Sequence, residues 1–281
     1  MKLSTIVLLV LLFSNAVWAE FVLESVDVVV NEIQPDGSVK VRENIKLIIK
    51  GEYSQALYDN GYSGYSNNDL SFWSTTTELK DVKRHINPAK TSIEDFTLSP
   101  QPRKKCSPVQ EICHGELILE YCARPSYNTT NDKEVAIEGT GLFGTENYKP
   151  RTIKYTLNPE ALSFTTTDQG NIILDENVKF IVRFPDGTVV TKANPLPEDV
   201  EGDTLGRMTE LSWGDMVLVK FTLEFEVEKS LEEEVSEFFF GFVELIDSAA
   251  TGVYGFAILI LVVIIVGGYL YINAAKRRKE E

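Results

Sequence analysis

FVLESVDVVVNEIQPDGSVKVRENIKLII, residues 21–49, is two runs rich in Val and Ile on either side of Gln34-Pro35-Asp36-Gly37. β-Branched residues favour an extended chain, and Pro-Asp-Gly favours a tight reversal. The stretch therefore predicts a hairpin of two strands, 21–33 and 38–49. In the second run Val39, Val41, Asn44, Lys46 and Ile48 interleave with Lys40, Arg42, Glu43 and Lys50, a partly alternating pattern that fits a strand with one wet face. The sheet begins here, and the class is mainly β.

The same signals recur downstream. Residues 79–86 and 92–98 read as strands split by Asn87-Pro88-Ala89-Lys90, GELILEYCA (115–123) as another, and 151–157 as a further one before Asn158-Pro159-Glu160. In NIILDENVKFIVRFPDGTVV (171–190), Val178, Phe180, Val182 and Phe184 alternate with other residues, and Pro185-Asp186-Gly187 repeats the first turn. In TELSWGDMVLVKFTLEFEVE (209–228), Val217, Val219, Phe221, Leu223, Phe225 and Val227 form one apolar face. Evenly spaced short strands with such turns argue one or two β-sandwich domains. Two are favoured, covering 20–165 and 166–229.

Both ends carry membrane signals. MKLSTIVLLVLLFSNAVWA (1–19) has one basic residue, an apolar run and small residues at 17 and 19, the pattern of a cleaved secretory signal peptide. An uncleaved anchor is the alternative. Between Asp247 and Lys276 there are 28 consecutive uncharged residues. About 20 residues at roughly 1.5 Å each cross a hydrocarbon core, so 251–273 is expected to be a transmembrane helix. The tail 274–281, AAKRRKEE, is basic next to the span, which places it in the cytoplasm and everything before it outside.

Residues 230–250 bridge the two. Ser230 with Glu233 is a capping box, and Leu231, Val235, Phe238, Phe242, Leu245 and Ala249 recur at helical spacing. This predicts an amphipathic stalk helix continuous with the span, whose apolar stripe, with Phe238, Phe239 and Phe242, calls for a partner. Ser248 and Gly252 keep the outer part of the span narrow enough for a second helix to approach.

The chain carries 27 Lys and Arg against 42 Asp and Glu, for a net charge of −15. A surface of that sign repels nucleic acid and anionic headgroups, so no nucleic-acid partner is expected.

Residues 53–73, YSQALYDNGYSGYSNNDLSFW, interrupt the strand pattern. Aromatic residues among Gly, Ser, Asn and Asp read as a loop, and Tyr58, Tyr62, Tyr65 and Trp73 there are candidate contacts for a protein or an envelope glycan. The competing reading folds these rings back onto the core.

Cys106 and Cys113 lie in a Pro-rich, locally basic loop and are expected to pair outside the cell. Cys122 leaves an odd count: buried and inert, paired with one of the other two, or bridging to another chain. Cys106, Cys113, His114 and Cys122 also offer a zinc ligand set, although the spacing matches no compact zinc module. Asn128-Thr129-Thr130 is a glycosylation acceptor. Asp199, Glu201 and Asp203 alternate as calcium ligands would, but the full loop pattern is missing. No metal and no cofactor is expected.

The opening SVDVVVNEIQPDGSVKVRENIKLIIKG resembles the start of a family of prokaryotic, chiefly archaeal, membrane proteins that have a signal peptide, a β-rich extracytoplasmic domain and transmembrane helices. FPDGTVV, NPLPED and LSWGDMVLVKFTLEFEV are similar to a β-sandwich unit found just before the anchors of archaeal envelope proteins. The resemblance implies a fold and a topology, and it brings no catalytic residues.

The chain has two histidines and no HExxH, GxSxG or glycine-rich phosphate loop. The expectation is a single-pass, non-catalytic binding module, an accessory subunit of an envelope membrane complex. The alternative is a surface hydrolase that uses paired carboxylates.

Overall fold

The structure is a computed structural model that describes residues 19–64, 69–107, 109–130, 133–149, 151–202 and 208–228. The signal segment, Tyr65, Asp203, the stalk with Phe238, Phe239 and Phe242, and the expected span with Ser248 and Gly252 lie outside the described residues.

The opening hairpin forms β1 (Glu20–Asn31) and β2 (Val39–Lys50), paired antiparallel from Glu20↔Lys50 to Asn31↔Lys40. Gly37 takes φ 85° in the turn, and a side-chain carbon there would meet the Phe143 carbonyl oxygen at 2.3 Å. Only glycine fits both the backbone angle and the space.

Helices α1 (Gly51–Ser63) and α2 (Leu70–Thr77) follow, where a recognition loop is expected. Asp69 caps α2 by accepting from the Ser71 N–H at 2.9 Å. Residues 79–86 are not a strand: turns fill them, and only Ile86 bridges, to Leu162.

β3 (Ser92–Ser107) runs through the expected Pro-rich loop as one long, bulged edge strand, and β4 (Ile112–Arg124) returns beside it and along β2. The polar stretch after Pro125 holds a small hairpin, β5 (Tyr127–Thr130) with β6 (Lys133–Ala136), and then β7 (Phe143–Lys149). Next come β8 (Thr152–Leu157), the short β9 (Thr165–Thr166), β10 (Ile172–Arg183), β11 (Val189–Asn194), β12 (Asp199–Gly202), β13 (Met208–Leu218) and β14 (Thr222–Glu228).

These strands build a mainly β fold. The large sheet runs β12-β13-β10-β1-β2-β4-β3, with β9 beside β10, and the smaller sheet runs β11-β14-β8-β7. β1 and β10 are parallel, Val26 opposite Val178 through Val30 opposite Val182. Strands from both sides of residue 165, where a division is expected, share each sheet, and the described residues through Glu228 fall in one compact unit.

One face of the large sheet is apolar: Val26, Val28 and Val30, then Val41, Ile45, Leu47 and Ile49, then Leu117, Leu119 and Tyr121, and Phe180 on β10. The helices, residues 79–91, 161–164 and the small sheet contribute to the same core. Tyr155 and Phe225 stack at 4.8 Å in the small sheet, and Phe184, just past β10, meets Phe225 at 4.9 Å.

The opposite face carries cross-strand ion pairs, Lys46–Asp27, Arg42–Glu120 and Arg124–Glu94 among them. Exposed pairs of this kind each contribute little, about 0–1 kcal/mol, but they fix register and keep the face polar.

Among the described residues no helix is long and apolar enough to cross a membrane.

Candidate functional site

The aromatic segment is a structural clamp. Tyr58 and Trp73 are fully buried and meet edge to face at 5.1 Å, which removes both from the set of ligand contacts. The Tyr58 hydroxyl donates to the Gln101 carbonyl at 2.7 Å and accepts from the Glu116 N–H at 3.0 Å, tying α1 to β3 and β4 at once. Its ring lies on Gly115, and the Trp73 ring presses on Gly61; side-chain carbons there would sit 2.6 Å from Tyr58 and 2.8 Å from Trp73. Tyr62 remains 42% exposed at the end of α1, and Tyr53 is 48% exposed at its start.

A second clamp joins α1 to the hairpin end of β3 and β4. Arg103 donates to both Asp59 carboxylate oxygens, at 2.7 and 2.6 Å, and to Gln55 Oε1 at 2.7 Å. The Asp59 hydrogen bonds raise the Arg103 pKa above its ordinary value, and partial burial acts against them. Cys106 and Cys113 form a disulfide seven residues apart, with Cys106 exposed and Cys113 buried.

The zinc reading does not hold here. His114 points to the polar face and pairs with Glu24 at 2.8 Å, whereas Cys113 faces the core. Cys122 is a half-buried free thiol eight residues along β4 from His114, roughly 27 Å at strand spacing. Among the described residues no three His, Cys, Asp or Glu side chains gather as metal ligands. Asp199 and Glu201 are strand residues of β12 rather than members of a loop.

The constellation that sequence reasoning missed is buried. Glu43 sits on the apolar face of β2, fully enclosed. Its Oε1 accepts from the His85 backbone N–H at 2.9 Å and from the Tyr121 hydroxyl, and its Oε2 lies 2.7 Å from His85 Nδ1. Burial, then the Glu43 carboxylate, push the Tyr121 phenol well above its ordinary pKa. His85 is also fully buried and its ring lies tilted against Phe164 at 5.0 Å, while its Nε2 has no hydrogen-bond partner among the described residues. A carboxylate, an imidazole and a phenol in contact form a recognisable acid–base set. Enclosed at this depth, it ties residues 81–91 to the sheet and touches no solvent. The alternation of β2 carried the available signal: Glu43 lies in phase with Val39, Val41, Ile45 and Leu47.

The open surface lies elsewhere. A groove of about 480 Å³ at the first turn is lined by Glu32, Asp36, Lys40, Cys122 and Arg124. Asp36 there accepts from the Ser38 N–H and Oγ and from Tyr127; burial pushes its carboxyl up, but these hydrogen bonds outweigh it and the net shift is downward. Asn128 is exposed on β5.

The two edges of the large sheet differ in character. β3 is guarded by Pro100, Pro102, Arg103, Lys104 and Lys105 and by three register shifts. β12, at the other edge, is four residues long, acidic and without Pro or Lys; it carries one register shift, and all four of its residues are exposed. Leu196 (79% exposed), Val200 (54%), Val219 (50%) and Val217 (45%) all belong to the segment from the end of β11 through the turn after β13. Trp213 Nε1 donates to the Pro195 carbonyl at 3.0 Å, and the Asn194 amide donates to the Val219 carbonyl at 3.1 Å, so Leu196 is held on this edge.

No family model matches the chain, and no curated protein matches it. Solved structures with some similarity to the chain include the native leukotriene A4 hydrolase of Saccharomyces cerevisiae, 7% identical with a TM-score of 0.31 over 73% of this chain and 28% of that one. An aminopeptidase A of Legionella pneumophila with aspartic acid bound is 8% identical with a TM-score of 0.26, over 76% and 22%. The acetylcholine-binding protein of Bulinus truncatus is 10% identical with a TM-score of 0.22, over 77% and 89%. The chain spans less than a third of the length of the hydrolase or of the aminopeptidase.

Proposed function

We propose that this chain is a non-catalytic binding module of the cell envelope, anchored by residues 251–273 with its β fold outside the membrane, and that it acts as an accessory subunit by adding a strand from a protein partner to its β12 edge. The observation that carries this reading is that edge itself: four exposed residues, Asp199 to Gly202, with Val200 among them and exposed Leu196 in the segment leading into the strand. Among the described residues no strand lies beyond β12, so it offers unpaired backbone N–H and C=O groups to an incoming strand, and Leu196 and Val200 give it apolar contact area. Asp199 and Glu201 alternate along it, so the partner strand is basic at matching positions.

The burial of Glu43, His85 and Tyr121 keeps that acid–base set away from any substrate in solvent, which supports binding over hydrolysis. The stalk, with Phe238, Phe239 and Phe242, and the small residues Ser248 and Gly252 extend the same interaction into the membrane. An envelope glycan is the competing ligand.

The test is crosslinking in native membranes, mild detergent extraction and identification of what copurifies at constant stoichiometry. A protein partner that is lost with Val200→Lys and Leu196→Lys, and retained with Lys104→Glu on the guarded edge, supports the reading. Recovery of the same partner from all three variants, or of the uncomplexed chain alone from wild type, removes it.

A further inference from the structure

We propose that the Cys106–Cys113 bridge is a built thiol-exchange site, in which exposed Cys106 receives the attacking thiol and buried Cys113 leaves as a thiolate held by Arg103. Three observations carry this. The two sulfurs are unequal: Cys106 is exposed on β3, while Cys113 is 1% exposed on the apolar face of β4, so an external thiol reaches only the first. Arg103 Nη1 lies 3.0 Å from Cys113 Sγ and 3.9 Å from Cys106 Sγ, so the guanidinium favours the sulfur that solvent does not reach. The guanidinium is already fixed by Asp59 and Gln55 from α1 and needs no reorientation during the reaction.

A disulfide sulfur is a weak acceptor, and a thiolate is a strong one. The Arg103 contact therefore strengthens only when the bridge opens, and it stabilises the leaving group. Leaving-group stability is one of the determinants of exchange rate.

The co-reactant is a thiol, either a small thiol or an envelope dithiol protein. Its thiolate attacks Cys106 Sγ, a new S–S bond forms there, the Cys106–Cys113 bond breaks, and the electron pair goes to Cys113 Sγ beside Arg103. A second thiolate attacks the attached sulfur of the mixed disulfide, releases oxidised co-reactant and leaves Cys106 reduced. If the co-reactant is scarce, Cys113 attacks back at Cys106 Sγ and restores the bridge. Cys106 is thus a site of reversible thiol attachment, and Arg103 is a positioning residue that couples this site to α1.

The experiment uses the full chain in detergent with Cys122→Ser, treated with glutathione as the probe. Peptide mass spectrometry is expected to place the adduct on Cys106. Arg103→Met is expected to slow bridge opening about tenfold and to shift the equilibrium in glutathione buffers toward the disulfide, with Arg103→Lys recovering part of both changes. Asp59→Asn breaks the same ion pair but removes a negative charge near Cys113, so it is expected to shift the equilibrium the opposite way, toward the dithiol. Adduct on Cys113 overturns the proposal. So does a shift in the same direction for Arg103→Met and Asp59→Asn, since loosening of the helix would then account for both.

Discussion

Glu43 and His85, 42 residues apart in sequence, meet twice: the carboxyl group takes the His85 backbone N–H at 2.9 Å and faces the ring Nδ1 at 2.7 Å. With Tyr121 on the same carboxyl, this contact holds residues 81–91 against the core side of β2 and β4.

Glu43→Ala is expected to destabilise the fold by about 3–5 kcal/mol, because the buried His85 N–H and Tyr121 hydroxyl lose their acceptor and the His85 ring loses its partner together. Tyr121→Phe removes one donor and is expected to cost about 1–3 kcal/mol. Urea unfolding of the two variants checks the order; equal losses would contradict the central place given to Glu43.

Gly115→Ala places a carbon 2.6 Å from the Tyr58 ring and 2.9 Å from Ile49, so α1 must lift or the ring must turn. A loss of about 1–3 kcal/mol is expected, the ordinary range for overpacking. Combining it with Tyr58→Ala should recover much of that loss, and a double-mutant cycle reads the coupling directly.

Burial pushes the Tyr58 phenol up from 10.0 to about 12, against the pull of the Glu116 N–H. The folded state holds this proton more tightly than the unfolded chain does. The associated stability is therefore fully present below about pH 10 and disappears as the pH rises from 10 to 12. Alkaline titration followed by phenolate absorbance should show late-titrating tyrosines, and Tyr58→Phe should remove one of them. An unchanged late phase in that variant would contradict the assignment.

Phe225→Ala removes a ring that touches Phe143, Tyr155 and Phe184, and a loss of about 3–5 kcal/mol is expected. Because Phe184 follows β10 of the large sheet, both sheets should lose structure in one transition. Two separated thermal transitions would instead restore the division near residue 165.

The sequence made the strands legible where alternation and turn residues agree. β1 and β2 around Asp36-Gly37, β10 before Asp186-Gly187, and β14 with its apolar Leu223 and Phe225 all show this. It did not make the helices legible. Tyr53, Ser54, Asn60 and Gly61 are weak helix formers, and the segment is helical because Tyr58 buries its ring against Gly115 of β4 and Trp73 packs on Tyr58 and Gly61, a tertiary effect. The Asp69 cap was the one local signal. Glu43 was misread for a related reason: a carboxylate on a strand defaults to the wet face, and only its distant partners His85 and Tyr121 make the dry face acceptable. The pairing of β1 with β10 is a long-range choice that no window of sequence contains.

That parallel pairing has a consequence for how the protein is made. Val26 and Val178 sit side by side, yet 151 residues are synthesised between them. β2 emerges at once to cover one edge of β1, but the other edge must wait for β10. The apolar hairpin of β1 and β2 therefore stands with an open flank while those 151 residues follow. Loop closure over that span is slow, and the open flank is the surface on which nascent chains would associate with one another. The order of synthesis thus leaves one flank of the first strand without its partner until β10 arrives.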